Sequence, residues 1–141
     1  MRLFLDTNIL IDFVAARQPF SEAAAVLFQL ADDGELALML SDLSIVNAVY
    51  ILQRLGFPLQ DIYDVLTEIC EMVTLTETGP KVILSCLQAR SKDFEDNVQY
   101  LSAMNADADY VITRNKKDFV LFGEDKVLTP LEFLDMMNIV L

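Results

Sequence analysis

Five short strand-like runs punctuate this chain, and between them hydrophobic residues recur at helical spacing. The runs are Leu3 to Leu5, Leu36 to Leu40, Met72 to Leu75, Tyr110 to Thr113 and Lys126 to Thr129. A strand buried on both faces reads as a nearly continuous apolar run, whereas a helix shows a 3.6-residue period. Their alternation predicts an α/β fold, a three-layer α/β/α sandwich around a mainly parallel sheet of four or five strands joined by right-handed crossovers. With 141 residues and only four glycines and four prolines for linkers, residues 1–141 are expected to form one domain.

The first run meets Asp6, Thr7 and Asn8 in succession, and hydrophobic residues then resume at Ile9, Leu10, Phe13 and Val14. Asp6 is therefore expected where a buried strand ends and a helix begins, the edge at which open α/β sheets bind ligands. Thr7 or Asn8 is expected to cap the helix through its side-chain oxygen. The plainer alternative is that Asp6 is itself only a cap. Similar switches follow the second run at Ser41-Asp42 and the fourth at Arg114 to Asp118, while Ser91 to Asp96 introduces the helix before the fourth run.

Composition narrows the chemistry. The chain is 54% hydrophobic and 23% charged, which favours a buried core over disorder. It has no histidine, so the commonest general base and the usual zinc ligand are missing. Cys70 and Cys86 both fall in apolar helical patterns and read as small core residues of a reducing compartment. Carboxylates, amides, hydroxyls or a bound hard cation are left to carry any reaction. The net charge of −12 and pI near 4.1 oppose broad binding of polyanions. They do not oppose a nuclease, because acids that bind Mg²⁺ or Mn²⁺ are negative until metallated. Acids within the first apolar stretch exclude a signal peptide, no run reaches the roughly 18–20 apolar residues of a membrane span, and a cytoplasmic location is expected.

Three polar groups occupy strand ends or first helical turns: Asp6, the Glu95/Asp96 pair, and Asn115 with Asp118. A parallel sheet brings the ends of its first and fourth strands to one edge, within reach of the helix that starts near Asp93. Two readings follow. Each acid is separately stabilised by a helix N-terminus, or the acids share a divalent cation that offsets their mutual repulsion.

Leu3-Phe4-Leu5-Asp6-Thr7-Asn8-Ile9-Leu10 resembles the opening of PIN domains, the metal-dependent ribonuclease fold of VapC-type toxins. The likeness returns at Asp93-Phe94-Glu95-Asp96-Asn97-Val98-Gln99. It is strongest from Ala108 to Phe119, with Thr113-Arg114-Asn115 and Asp118-Phe119, and ends at Thr129-Pro130-Leu131-Glu132-Phe133-Leu134. The resemblance implies that Asp6, Asp96 and Asp118 are catalytic and hold Mg²⁺ or Mn²⁺, with Asn115 at a further polar position and Thr7 and Asn8 holding the geometry. Glu95, beside Asp96, is a further candidate ligand, with Asn115 or Glu95 supporting directly or through water. It implies an RNA substrate and, for the toxin branch, an antitoxin partner.

One position departs from the pattern. PIN domains usually carry a glutamate three residues past a Ser or Thr on the helix after the second strand; Ser44 is in place, but Asn47 stands where the glutamate would be. A neutral amide oxygen ligates a hard cation more weakly, and Glu95 is the nearest candidate to compensate. The alternative function is therefore a PIN-fold protein-binding module with weakened or lost catalysis. A phosphatase with Asp6 as nucleophile is disfavoured, because Asn8 stands where its second aspartate would be. Arg114, Lys116 and Lys117 are candidates to meet phosphates, with a solvated turn as the alternative. The apolar helices around Phe13 to Ala15 and Ala24 to Phe28 suggest more apolar surface than one core needs, with a homodimer or a partner peptide as the outlet.

Overall fold

The computed structural model describes the backbone of residues 1–141 and every side chain except those of Val120, Leu121, Phe122 and Glu124. Five parallel strands form one sheet: β1 (Arg2–Leu5), β2 (Ala37–Ser41), β3 (Thr74–Thr76), β4 (Tyr110–Ile112) and β5 (Val127–Leu128), in the order β3-β2-β1-β4-β5. Seven α-helices accompany them: α1 (Thr7–Val14), α2 (Ser21–Asp32), α3 (Asp42–Arg54), α4 (Leu59–Met72), α5 (Gly79–Ala89), α6 (Phe94–Asn105) and α7 (Pro130–Met136). Two 3-10 segments, Lys116–Phe122 and Glu124–Lys126, lie between β4 and β5. The expected three-layer α/β/α sandwich is the fold, with every strand pair parallel.

The alternation of side chains along β1 divides the core. Leu3 and Leu5, with Leu38, Leu40 and Ile112, pack against α1, α2, α3, α4 and α7 through residues such as Leu10, Leu27, Leu52, Leu66 and Phe133. On the opposite face Met39, Phe4, Val111 and Val127 lie in register across four strands, under Ala103 of α6 and Phe119. Phe4 is fully buried, a burial that stabilises by roughly 1.5–3 kcal/mol relative to exposure. A smaller cluster of Val82, Cys86 and Val98 holds α5 to α6.

The register also builds the functional edge. Two residues beyond Met39, Phe4 and Val111 come Ser41, Asp6 and Thr113, and residues two apart share a face. All three therefore end their strands on the side covered by α6. The sheet order reverses direction between β1 and β4, and ligands of open α/β sheets bind in the crevice at such a switch.

Local expectations shift in places. The third run was expected to begin at Met72, but α4 continues through that residue and β3 starts at Thr74. Thr7 and Asn8 do not cap α1: the helix begins at Thr7 and the cap position belongs to Asp6, whose side chain makes no capping bond. Cap formation behaves as expected at Ser41, which accepts from the Ser44 amide, and at Thr129, which forms a capping box with Glu132. Phe13 stacks on Phe28 at 4.4 Å between ring centres, so α1 and α2 spend their apolar surface inside the core. Several exposed large hydrophobics lie on α3 to α5 and the segment between α3 and α4, including Val46, Tyr50, Phe57, Tyr63, Leu84 and Leu87, with others such as Phe20, Met104 and Leu131 elsewhere. Among the described residues no helix is long and apolar enough to cross a membrane.

Candidate metal centre

Asp6 leaves β1 in extended conformation and accepts a hydrogen bond from the Thr113 hydroxyl at 2.9 Å. Thr113, fully buried, accepts in turn from the Asn115 amide at 3.0 Å. The ends of β1 and β4 are thus fastened at the switch point, and one Asp6 oxygen is fixed. Burial pushes the Asp6 carboxyl up; the Thr113 hydroxyl and the nearby Thr7 amide oppose this, while the charges of Asp118 and Glu95 add to it.

The second acid comes from α6. Asp93 caps that helix by accepting from the Asp96 amide at 3.0 Å, and this backbone bond holds the Asp93 carboxyl below its ordinary range. Asp96 goes the other way, pushed up to about 7. Burial is the largest cause, followed by the bond with Asp93 and the charges of Asp118, Asp93 and Asp6. A cleft of about 260 Å³ contains Asp93, Asp96 and Asp118 together with Lys117 and Tyr100. Asp118 reaches it from the first turn of the 3-10 segment after β4, where its amide donates to the Asn115 carbonyl.

Glu95 approaches from the side of α3. Asn47 donates from Nδ2 to Glu95 Oε1 at 3.1 Å, and both residues line a small pocket beside Gln99. Asn47 therefore faces Glu95 across the gap between α3 and α6. The amide on α3 thus holds a carboxylate carried by α6.

A buried polar layer underlies the acids. Thr7 and Ser44 share a hydrogen bond at 2.7 Å; Gln99 Nε2 donates to the Thr7 hydroxyl at 3.0 Å and to the Ser44 hydroxyl at 2.9 Å. Ser41 donates to Ser44 at 3.2 Å. The layer joins α1, α3 and α6, so it fixes their first turns relative to one another. Thr7 supports the site in this indirect way. Gln99 escaped sequence reasoning, although a buried-face amide three residues before Ser102 on α6 is the kind of signal that marks such a network.

The remaining sequence candidates take other places. Arg114 turns away from the acidic cleft to Asp12, donating from Nε at 2.8 Å and Nη2 at 3.1 Å. Arg17 shares the same carboxylate at 2.8 Å, and Asp12 is fully buried between them. Asn8 contacts Arg17, not the acids. Lys116 pairs with Glu132 at 3.1 Å. Asn115 presents its backbone to Thr113 and Asp118 and lines a separate apolar pocket. Of the three cations singled out, Lys117 is the one at the acidic cleft.

Among the described residues no group of three or more acids or thiols stands close enough together to hold an ion as arranged. The donor set nevertheless suits a hard divalent cation. It consists of carboxylate oxygens, and the described ion pairs go to Asp12 and Glu132, leaving Asp6, Asp96, Asp118 and Glu95 without a cationic partner. Their mutual repulsion is the cost that such a cation relieves.

A search of the curated proteins found no match. A family model described as a PIN domain matches residues 2–117, covering Asp6, Asn47, Glu95 and Asp96 and stopping one residue short of Asp118. By that match, over most of its length, the chain belongs to the PIN domain family.

Proposed function

We propose that this protein is a Mg²⁺- or Mn²⁺-dependent endoribonuclease whose metal is held by Asp6, Asp96 and Asp118 with Glu95 in support. PIN domains are in general nucleases, and the family generally uses divalent metal ions. The observation that carries the reading is the gathering of uncompensated acids at the β1–β4 switch point, where the charges of Asp118 and Glu95 help raise the Asp6 carboxyl and those of Asp118, Asp93 and Asp6 help raise that of Asp96.

A divalent ion at this site supplies an activated water and neutralises the scissile phosphate. The chain's own residues do the rest. Thr113 holds one Asp6 oxygen and so fixes the orientation of this carboxylate at the end of β1. Asn47 restrains Glu95, and Asp93 fixes the first turn of α6 from which Asp96 projects. Lys117 sits at the cleft as the cation nearest a substrate phosphate. Asp96 surrenders its proton before it can serve as a ligand.

The RNA substrate, the role of toxin held by an antitoxin, and the cytoplasmic setting extend the same proposal, the last supported by two free cysteines. A homodimer is the expected outlet for the exposed apolar residues of α3 to α5. The test is cleavage of a mixed single-stranded RNA pool in Mn²⁺, paired with calorimetric Mn²⁺ titration. Cleavage that disappears in Asp96→Asn, and Mn²⁺ binding that weakens in Asp6→Asn, are expected. Equal Mn²⁺ binding by wild type and Asp6→Asn would sink the metal site. The competing reading, a protein-binding module without catalysis, is motivated by Asn47 in place of a glutamate and by the −12 charge. RNA cleavage lost in Asp96→Asn rules it out.

A further inference from the structure

Arg114 and Asn115, which follow Thr113 in the chain, help to wall an apolar pocket of about 340 Å³ with Pro19, Phe20, Pro130 and Leu131. We infer that this pocket is a nucleotide subsite that seats one unpaired base of single-stranded RNA beside the metal centre. The inference rests on the ribonuclease reading and extends it to how the substrate is gripped.

The walls have the chemistry of a base platform. The Arg114 guanidinium lies 3.9 Å from the centre of the Phe20 ring. Its Nε and Nη2 form a two-pronged bond to Asp12, so its plane is set before any ligand arrives. Unpaired bases stack on aromatic rings and guanidinium planes. Phe20 remains 38% exposed even beneath the guanidinium, and Leu131 is 61% exposed. Asn115 adds an amide at the wall, able both to donate to and accept from a base edge. The volume lies at the lower end of small-ligand pockets, roughly 300–1,000 Å³, a size for one ring system and too small for a partner helix.

Charge and continuity favour a nucleotide over an apolar peptide. Two guanidinium groups share the single Asp12 carboxylate, leaving one net positive charge beside the pocket. On a chain of net charge −12, that island complements a phosphate. The pocket is also joined to the acids: the Asn115 amide donates to the Thr113 hydroxyl, which donates to Asp6. Asn115, at the pocket wall, is thus two hydrogen bonds from the Asp6 carboxylate, a separation on the scale of one nucleotide.

The experiment uses the intact protein with Mn²⁺ and a mixed-sequence single-stranded RNA carrying 2-aminopurine and phosphorothioate linkages that resist cleavage. Stacking quenches 2-aminopurine fluorescence. Phe20→Ala and Leu131→Asp should each weaken RNA binding by roughly tenfold to a hundredfold, reduce the quench, and leave Mn²⁺ affinity unchanged. Leu131 is exposed, so its variant keeps the fold even if Phe20→Ala does not. RNA binding and quenching by both variants equal to wild type would overturn the subsite while leaving the ribonuclease reading intact. Loss of a dimer in Leu131→Asp with unchanged RNA affinity would assign the pocket to a second copy and overturn it likewise. Absence of RNA binding by the wild type would overturn both.

Discussion

Lowering the pH from about 7.5 to about 5.5 should weaken Mn²⁺ binding by roughly twentyfold to thirtyfold, through Asp96 alone. With its carboxyl pushed up to about 7, Asp96 is protonated in roughly a quarter of molecules at the upper pH and in nearly all at the lower one. Each must lose that proton to become a ligand. Asp6, also raised, adds to the effect in the same direction. The linkage has a second face in the metal-free protein. A carboxyl whose folded pKa exceeds its unfolded value of 3.8 binds more protons folded than unfolded. Stability should therefore fall as pH rises between those values, and Mn²⁺ should cancel the fall. Calorimetry near pH 6 in two buffers of different ionisation enthalpy should show close to one proton released per Mn²⁺ from Asp96. Affinity that stays flat across this range, or binding that releases no proton, would refute the picture of acids forced together without a counter-charge.

Asn47→Glu sets a second carboxylate against Glu95 and should lower the melting temperature in EDTA while enlarging the rise on adding Mn²⁺. The added charge is worth on the order of 1–3 kcal/mol at an effective dielectric near 20, whereas Asn47→Ala should show neither change. Thr113→Val removes the hydroxyl that joins Asp6 to the Asn115 amide. It should cost about 1–3 kcal/mol in urea unfolding and weaken Mn²⁺ binding by loosening Asp6. Gln99→Leu strands Thr7 and Ser44 without their amide donor; a loss of about 1–3 kcal/mol is expected, and a loss well under 0.5 kcal/mol would show that water replaces the amide.

The strands legible as unbroken apolar runs, β1, β2 and β4, are those buried in the middle of the sheet, where burial alone selects the residues. β3 is an edge strand with Thr74 and Leu75 exposed, so its pattern is weak and Met72 reads equally well as its start or as the end of α4. Asp6 stood out because it ends an apolar run, and Asp96 and Asp118 because they fall in first helical turns and in motifs that resemble the family's; Asp96 and Asp118 line one cleft, and the Asp6 charge helps raise the Asp96 carboxyl. Arg114 shows the limit of local reading. Next to Asn115 it looks like a cation for phosphate, yet its first partner is Asp12, a carboxylate 102 positions away. Asn47 belongs to the same class: its significance lies in Glu95, 48 residues on, a contact that no spacing within either helix encodes.

The placement of β1 at the centre of the sheet has a consequence for synthesis. Asp6 is made more than a hundred residues before Thr113 and Asp118, the groups that fix it and complete its cluster. At ribosomal rates of about 5–20 residues per second, that interval lasts roughly 5–20 s. Once made, β2 can pair with one side of β1, but the side that β4 will occupy stays open until β4 follows. A nascent chain therefore carries the hydrophobic half of its sheet long before it carries its full set of clustered acids. Chains stalled on the ribosome with residue 109 as their last should bind Mn²⁺ no better than Asp6→Asn, and release of a chain extended beyond Leu134 should restore binding. If the proposed ribonuclease activity holds, that order of assembly separates the protein's own translation from its activity.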